Sequence, residues 1–284
     1  MRRSILYFFV ILCLCIHACA KKTVSPASST EELHILLGNP SKATTSDNPD
    51  NYLISRPQYA LSYNSTQGTA NWVSWHLNAS WKGTIKRQDN FRPDNTLPDS
   101  WYRATPGDYT NTGFDRGHLC PSDDRDKTEE DNNATFLMSN IVPQAPNNNR
   151  TTWRNLEEYC RSLIDHGNEL YITAGVYGRG GSGSNGGTTN TIASGKITVP
   201  ARLYKIIVVL PEGEKDVSRI TATTRIIAVD IPNKQSADNM AWYQYRVSVD
   251  EIEKATSYDF LTNLPAGLQQ TLESKTDNEP VRAE

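Results

Sequence analysis

Apolar and polar residues follow two different periods along this chain of 284 residues, and these periods predict a mixture of strands and helices. From residue 52 onward, YLIS, YALSYN and NWVSWHL combine aromatic and β-branched residues with turn signals, which is typical of short strands. Apolar runs predict further strands over residues 169–175, 199–210 and 225–231. Alternation over residues 245–249 predicts another strand, with a short helix following at 249–255.

The clearest helix is predicted over residues 152–164, and Gly167 ends it. Its apolar residues recur at steps of three and four: Trp153, Leu156, Tyr159, Cys160, Leu163 and Ile164. No internal repeat is visible, and no compositional break divides residues 52–268. The pattern therefore predicts an α+β fold, a single mixed domain with an antiparallel sheet.

The first residues carry the features of an export signal. A positive start and an apolar run over residues 5–16 predict a signal peptide spanning residues 1–18. The sequence before Cys19 resembles a bacterial lipobox, which would leave Cys19 lipidated, while Ala-Cys-Ala at 18–20 also fits a cleavage site that releases a free protein. We favour the lipoprotein, because lipidation explains why a cysteine stands at this position. The predicted location is outside the cytoplasm, as an outer-membrane lipoprotein or a secreted or periplasmic protein.

Behind the signal peptide, we predict three parts: a tether and N-terminal segment over 19–50, the folded domain over 51–270, and a polar, frayed tail over 271–284. Removal of the signal peptide lowers Lys+Arg from 29 to 27 and leaves Asp+Glu at 32, so the net charge changes from −3 to −5. Tight binding of nucleic acids depends mainly on neutralising phosphates. Any phosphate chemistry in this acidic protein must therefore use a local cationic site.

Two short segments carry residues that suit phosphate chemistry. In FDRGHL, His118 lies two residues after Arg116, which combines a base with a clamp for phosphate oxygens. In the second segment, Asn149 precedes the predicted helix, and Glu157 and Arg161 share one helical face. Taken singly, each segment is more often structural: a common ion pair in the first case, a capping residue and a surface pair in the second.

Taken together, the segments FDRGHLCPS and SNIVPQAPNNNRTTWRNLEEYCR resemble the sugar-non-specific DNA/RNA nuclease family, which includes mitochondrial endonuclease G. The pattern is D-R-G-H at 115–118, N-x-x-P-Q at 140–144, Asn149, and W-x-x-x-E-x-x-x-R at 153–161. The resemblance covers roughly residues 52–268. It implies a ββα-metal core, the fold of the His-Me finger superfamily.

The resemblance also implies an activity: metal-dependent endonuclease cleavage of DNA and RNA, leaving 5′-phosphate ends. His118 would be the general base that deprotonates the attacking water. Asn149 would be the sole direct protein ligand of a hydrated Mg²⁺, with Mn²⁺ as the alternative, and Glu157 would bind water of the metal's hydration shell. Stabilisation of the phosphate and of the leaving 3′ oxygen is assigned to the metal.

Four more residues receive roles through the resemblance. Arg116 and Arg161 would offset the charge on the phosphate, where a guanidinium suits paired oxygens. Arg87 occupies roughly the place of another arginine of the family, although the spacing there is loose. Asn140 would orient the site through hydrogen bonds.

The resemblance also bears on the cysteines. Only Cys120 and Cys160 remain in the folded domain, and a metal that joins His118 to the helix would bring their segments together. We therefore favour a disulfide between them in an oxidising compartment, against the alternative of two buried thiols.

Two other interpretations of the function remain open at this point. The chain could be a catalytically silent surface lipoprotein that binds nucleic acid or another polymer, or a structural, partner-binding lipoprotein. DNA, RNA and a membrane reached through Cys19 are the expected partners; the pattern does not specify an oligomeric state. Trp72 and Trp75 could stack on bases, but core packing is favoured, and Asp123 and Asp124 are expected in a solvated loop.

Overall fold

The computed structural model describes residues 30–46 and 48–281. The predicted signal peptide, the predicted lipid site at Cys19 and the first part of the tether lie outside these residues. Within the described part, none of the helices has the length and apolar character needed to cross a membrane.

The strands are arranged mainly in one large antiparallel sheet. Seven of them pair in the order β1-β2-β3-β6-β9-β10-β11, while β4 pairs with β5 and β7 with β8. The bounds are β1 Tyr52–Ser55, β2 Ala60–Asn64, β3 Thr69–Leu77, β4 Asp115–His118, β5 Ile141–Gln144, β6 Asn168–Tyr177, β7 Thr191–Ile192, β8 Ile197–Thr198, β9 Arg202–Pro211, β10 Arg225–Pro232 and β11 Arg246–Val247.

Helices cover the sheet and form the connections. A π-helix at Asn148–Trp153 runs directly into the longest α-helix, and short 3₁₀ turns occur in several loops. The α-helices are α1 Thr30–Leu33, α2 Glu129–Thr135, α3 Arg154–Asp165, α4 Asp216–Arg219, α5 Val249–Thr256 and α6 Ala266–Glu273. This arrangement confirms the α+β class and the antiparallel sheet.

Most of the predicted elements are present. The three apolar runs form β6, β9 and β10, and the periodic helix is α3. The strand predicted at 245–249 is only two residues long, because Ser248 is already the N-cap of α5. Its side chain accepts the backbone N–H of Glu251, and the Glu251 carboxylate accepts the backbone N–H of Ser248.

The sheet is buried on both faces. On the first face, Trp75, Ile172 and Ile207 pack with the apolar side of α3. On the second face, the alternate residues of the same strands, including Trp72 and Ile206, pack with α5, α6 and the N-terminal segment. Each large side chain that is fully buried contributes roughly 1.5–3 kcal/mol to the free energy of unfolding.

Both ends of the described chain pack against this domain. Leu37 and Ala43, which precede the predicted domain, are buried on the second face. In the tail that was expected to fray, the buried Asp277 forms ion pairs with Arg225 at 2.9 Å and Arg246 at 2.8 Å.

The predicted disulfide is wrong. Cys120 and Cys160 are free thiols, buried in the apolar core of the first face. Burial raises the pKa of both thiols to about 12, which disfavours the thiolate that disulfide exchange requires. The alternative of two small buried side chains therefore holds.

Candidate active site

The segment around DRGH forms a compact ββα unit. Strand β4 pairs with β5, with Asp115 opposite Gln144 and His118 opposite Ile141, and the π-helix and α3 follow. The four residues of DRGH themselves form the strand β4. Gly117 is required there, because a Cβ would lie 2.2 Å from Gln144 Oε1 and 2.6 Å from Gln144 Cβ.

His118, at the end of β4, is buried and lies near two aromatic rings. Its side chain is beside Phe91 and Phe136, with ring centroids 5.3 Å and 5.0 Å away, and its Nε2 has no hydrogen-bond partner among the described residues. Burial, and then the charges of Arg87 and Arg116, lower the pKa of His118 to about 3. The imidazole is therefore neutral at pH 7, the form that accepts a proton.

Asn140 fixes the chain directly after His118. Its Oδ1 accepts the backbone N–H of Cys120 at 2.9 Å, and its Nδ2 donates to the carbonyls of Cys120 and Thr135, both at 2.8 Å. Asn140 is fully buried, so its influence on the site passes through the backbone. This geometry agrees with the orienting role expected for it.

Five of the predicted site residues meet at one cleft of about 220 Å³, whereas Asn140 and Arg161 do not line it. Its lining includes Arg87, Arg116, His118, Asn149 and Glu157, together with Pro121, Ser122, Asp123, Arg150 and Arg154. A neighbouring cleft of about 330 Å³ shares several of these residues, namely Arg87, Arg116, Asn149 and Arg150. Arg150 and Arg154 were missed by the sequence analysis, although they lie within the segment that carries the motif.

Two arginines of the cleft rest on aromatic rings. The guanidinium of Arg116 lies 4.3 Å from the ring centre of Phe91, and that of Arg87 lies 4.9 Å from the ring centre of Phe136. Arg87 also donates to Ser122 Oγ at 2.8 Å. An arginine held by a ring keeps N–H groups for phosphate oxygens, so both side chains suit the predicted role.

Arg161 is placed differently. It pairs with Asp124 at 3.2 Å and with Asp123 at 3.9 Å, and it is not among the residues that line the cleft. Asp124 is buried and also accepts the Nε1–H of Trp75 at 3.0 Å. The expectation that Asp124 is solvated is therefore wrong, since it serves as the buried counter-charge of Arg161.

Glu157 enters the cleft from α3 and has a buried partner below it. Lys205 Nζ lies 3.7 Å from Glu157 Oε1 and 4.3 Å from the ring centre of Trp153. Burial raises the pKa of Glu157 to about 7, against the opposing effects of Lys205 and Arg161. Sequence analysis missed Lys205; the available signal was a single lysine inside the apolar strand RLYKIIVVL.

The oxygen atoms of the cleft suit a hard divalent cation. Asn149 Nδ2 donates to Asp115 Oδ2 at 2.9 Å, which leaves the amide oxygen as the atom that could bind a metal, and the Glu157 carboxylate lines the same cleft. Amide and carboxylate oxygens are ligands that Mg²⁺ accepts while it keeps several waters. Two other groups of potential ligands lie outside the cleft: His76, Glu169 and Asp216, and Asp250, Glu253 and Glu273.

Comparison with known proteins agrees with this geometry. A family profile for DNA/RNA non-specific endonucleases matches residues 38–267. The chain is 54% identical to a nuclease of Nostoc sp. over 256 residues, which cover 90% of this chain and 89% of the relative. It is 28% identical to human mitochondrial endonuclease G over 219 residues, covering 75% and 71% of the two chains.

A solved structure shares the fold. The crystal structure of an EndoG/EndoGI complex contains a chain that matches with a TM-score of 0.70 and 22% sequence identity. The match covers 85% of this chain and 95% of the other. It shows that the two chains share one fold.

Proposed function

The chain belongs to the DNA/RNA non-specific endonuclease family and is a hydrolytic endonuclease, and we propose that it cuts both DNA and RNA with His118 as general base and Mg²⁺ as cofactor. One observation carries the proposal. The buried Nε2 of a neutral His118 has no hydrogen-bond partner in the part of the chain that the structure describes, and it belongs to a cleft that also contains cationic side chains and oxygens suited to a metal. A catalytically silent binding protein would have no use for this combination.

The proposed reaction is an in-line displacement by water. His118 Nε2 takes a proton from the water, whose oxygen forms a bond to phosphorus while the bond from phosphorus to the 3′ oxygen breaks. Arg87 and Arg116 offset the charge that builds up on the phosphate oxygens. The leaving 3′ oxygen takes up a proton from solvent, so the products carry 5′-phosphate and 3′-hydroxyl ends.

Asn149 would hold the metal directly, and Glu157 would fix its hydration shell. When bound, Mg²⁺ supplies Lewis-acid stabilisation of the phosphate and the leaving oxygen. Glu157 is held near the buried Lys205, and its carboxylate therefore has a counter-charge before any metal binds.

The lack of sugar specificity follows from the nucleophile. An RNA-specific mechanism that uses the 2′-hydroxyl group usually needs a second acid–base group, and His118 is the one histidine that lines the cleft. A water nucleophile does not require a 2′-hydroxyl group. Both sugars therefore fit the same chemistry.

We also propose that the protein is exported and anchored by a lipid on Cys19. The positive start and the apolar run before Cys19 support this proposal. Palmitate should label the wild-type protein but not a Cys19→Ser variant. A soluble mature protein that begins at Lys21 would contradict it and favour release by signal peptidase.

Digestion of matched DNA and RNA oligonucleotides, with and without EDTA, tests the proposed activity. We expect internal cleavage of both substrates, 5′-phosphate ends on the products, and complete loss of activity when EDTA removes the metal. Higher salt should slow the reaction, because phosphate contacts hold the substrate. Cleavage of RNA alone, with 2′,3′-cyclic phosphate products, would exclude both the water nucleophile and the role of His118.

A further inference from the structure

We propose that Asp115 is a positioning residue for the metal site: its carboxylate selects the orientation of the Asn149 amide that presents oxygen to the metal. The inference rests on the proposed function in one respect, namely that Asn149 is a metal ligand. It assigns a task to the first residue of the DRGH segment, to which the reaction described above gives none.

The chemistry of the contact determines the orientation. Asp115 Oδ2 accepts a hydrogen bond from Asn149 Nδ2 at 2.9 Å. An ionised carboxylate only accepts, whereas an amide has one end that donates and one that accepts. Turning the Asn149 amide over would place its oxygen against the carboxylate and its NH₂ group toward the metal. Asp115 therefore excludes the orientation that cannot bind a cation.

Both partners of this contact are well fixed. Asp115 begins β4 and is paired with Gln144 of β5, while the backbone N–H of Asn149 donates to the carbonyl of Ala145 at 2.9 Å. Strand β4 also carries His118, and the helix that follows Asn149 carries Glu157. The hydrogen bond between Asp115 and Asn149 therefore connects β4, which carries His118, to the helical segment that carries the proposed metal-binding residues.

Arg150 completes the arrangement around Asp115. Its Nε donates to Oδ2 at 2.8 Å and its Nη2 to Oδ1 at 2.6 Å, so both carboxylate oxygens are held. The side chain of Asp115 is 17% exposed and that of Arg150 is 68% exposed. The guanidinium balances the charge of Asp115, which favours a role as a hydrogen-bond acceptor for Asn149 over a role as a second metal ligand.

The test measures binding of Mn²⁺, without substrate, by electron paramagnetic resonance of the free ion. Asp115→Ala should weaken Mn²⁺ binding by about 10–100-fold, the usual effect of removing a group that orients a metal ligand. Asp115→Asn keeps the size of the side chain and one hydrogen-bond acceptor, so it should weaken Mn²⁺ binding less than Asp115→Ala does. Asp99→Ala is the matched control: it removes a carboxylate that is bonded to an arginine, Arg103, outside the cleft, and it should not weaken Mn²⁺ binding.

A double mutant separates positioning from a general effect on the fold. If Asp115 acts through the amide, Asp115→Ala should have no further effect on Mn²⁺ binding in an Asn149→Ala background. Wild-type affinity in the Asp115→Ala protein, or an equal loss in both backgrounds, would overturn the proposal. Unchanged Mn²⁺ binding by Asn149→Ala alone would instead remove Asn149 as a ligand, and with it the metal site of the proposed function.

Discussion

Two clusters of charged residues lie on opposite faces of the central sheet, and they differ in how their charges are balanced. The cluster on the second face consists of His76, Glu169, Tyr171, Asp216 and Arg219. Glu169 is bonded to His76 Nε2 at 2.9 Å and to Arg219, which also pairs with Asp216 at 2.8 Å. Tyr171 donates to Asp216. Each carboxylate in this cluster has a cationic partner within the protein.

The active-site cluster, at the α3 face, also pairs its carboxylates, but no carboxylate of the described residues pairs with its Arg116. Within residues 30–46 and 48–281, His118 Nε2 has no hydrogen-bond partner, and Arg116 rests on the ring of Phe91. Lys205 lies 3.7 Å from Glu157, which exceeds the usual length of a hydrogen bond. A cluster whose cations all have carboxylate partners stabilises the fold, whereas an arginine without such a partner beside a neutral base is suited to bind an anionic group such as a phosphate.

The sharpest test of this contrast is the removal of the unpaired base. His118→Ala should lower kcat by roughly 10²–10⁴, the usual contribution of a general base, while the protein stays folded. Cleavage of a plasmid and thermal unfolding should be measured on the same preparation. The His76→Asn variant is the matched control on the second face and should keep its activity. Wild-type cleavage by His118→Ala would show that His118 is not the general base and that the two clusters do not differ in this respect.

Removing an ion pair from the cluster on the second face should lower the stability and leave the activity unchanged. Glu169→Gln should lower the free energy of unfolding by about 3 kcal/mol, because it removes the charge that pairs with Arg219 inside the protein. Arg219 is about a quarter exposed, which limits the loss. Urea unfolding gives the stability, and kcat of the folded fraction should not change. A stable but inactive variant would show that the second face takes part in catalysis.

Acid should weaken the fold through two histidines with different surroundings. Burial lowers the pKa of both His34 and His118 to about 3, so the unfolded chain binds more protons than the folded one below about pH 6.5. The stability conferred by each neutral ring is present in full above pH 6.5 and is lost as the pH falls toward 3. The slope approaches roughly 1.4 kcal/mol per pH unit for each histidine.

Urea unfolding between pH 7 and 4.5 measures this slope, and His118→Asn should reduce it. The contribution of His34 to the slope should remain, because its Nδ1 accepts the backbone N–H of His76 while its Nε2 donates to the carbonyl of Pro57. These two bonds require the neutral ring. An unchanged slope in His118→Asn would mean that His118 is protonated equally in both states.

Much of the fold was predictable because it depends on local patterns. The strands β6, β9 and β10 are apolar runs, and α3 is a periodic helix, so neighbouring residues alone indicate them. Part of the cleft was predictable for another reason: the motif keeps His118 and Asn149 at fixed spacings within one ββα unit, whereas Arg150 and Arg154 were missed.

The tertiary structure decided how charges and thiols pair. Asp124 is buried against Arg161, Lys205 lies beneath Glu157, and Cys160 remains a free thiol, and none of these follows from a local pattern. Each depends on which strands become neighbours: β9 lies beside β6 and carries Lys205 into the core under α3. A charged side chain becomes buried only where the folded chain supplies its partner, and that partner comes from a distant segment.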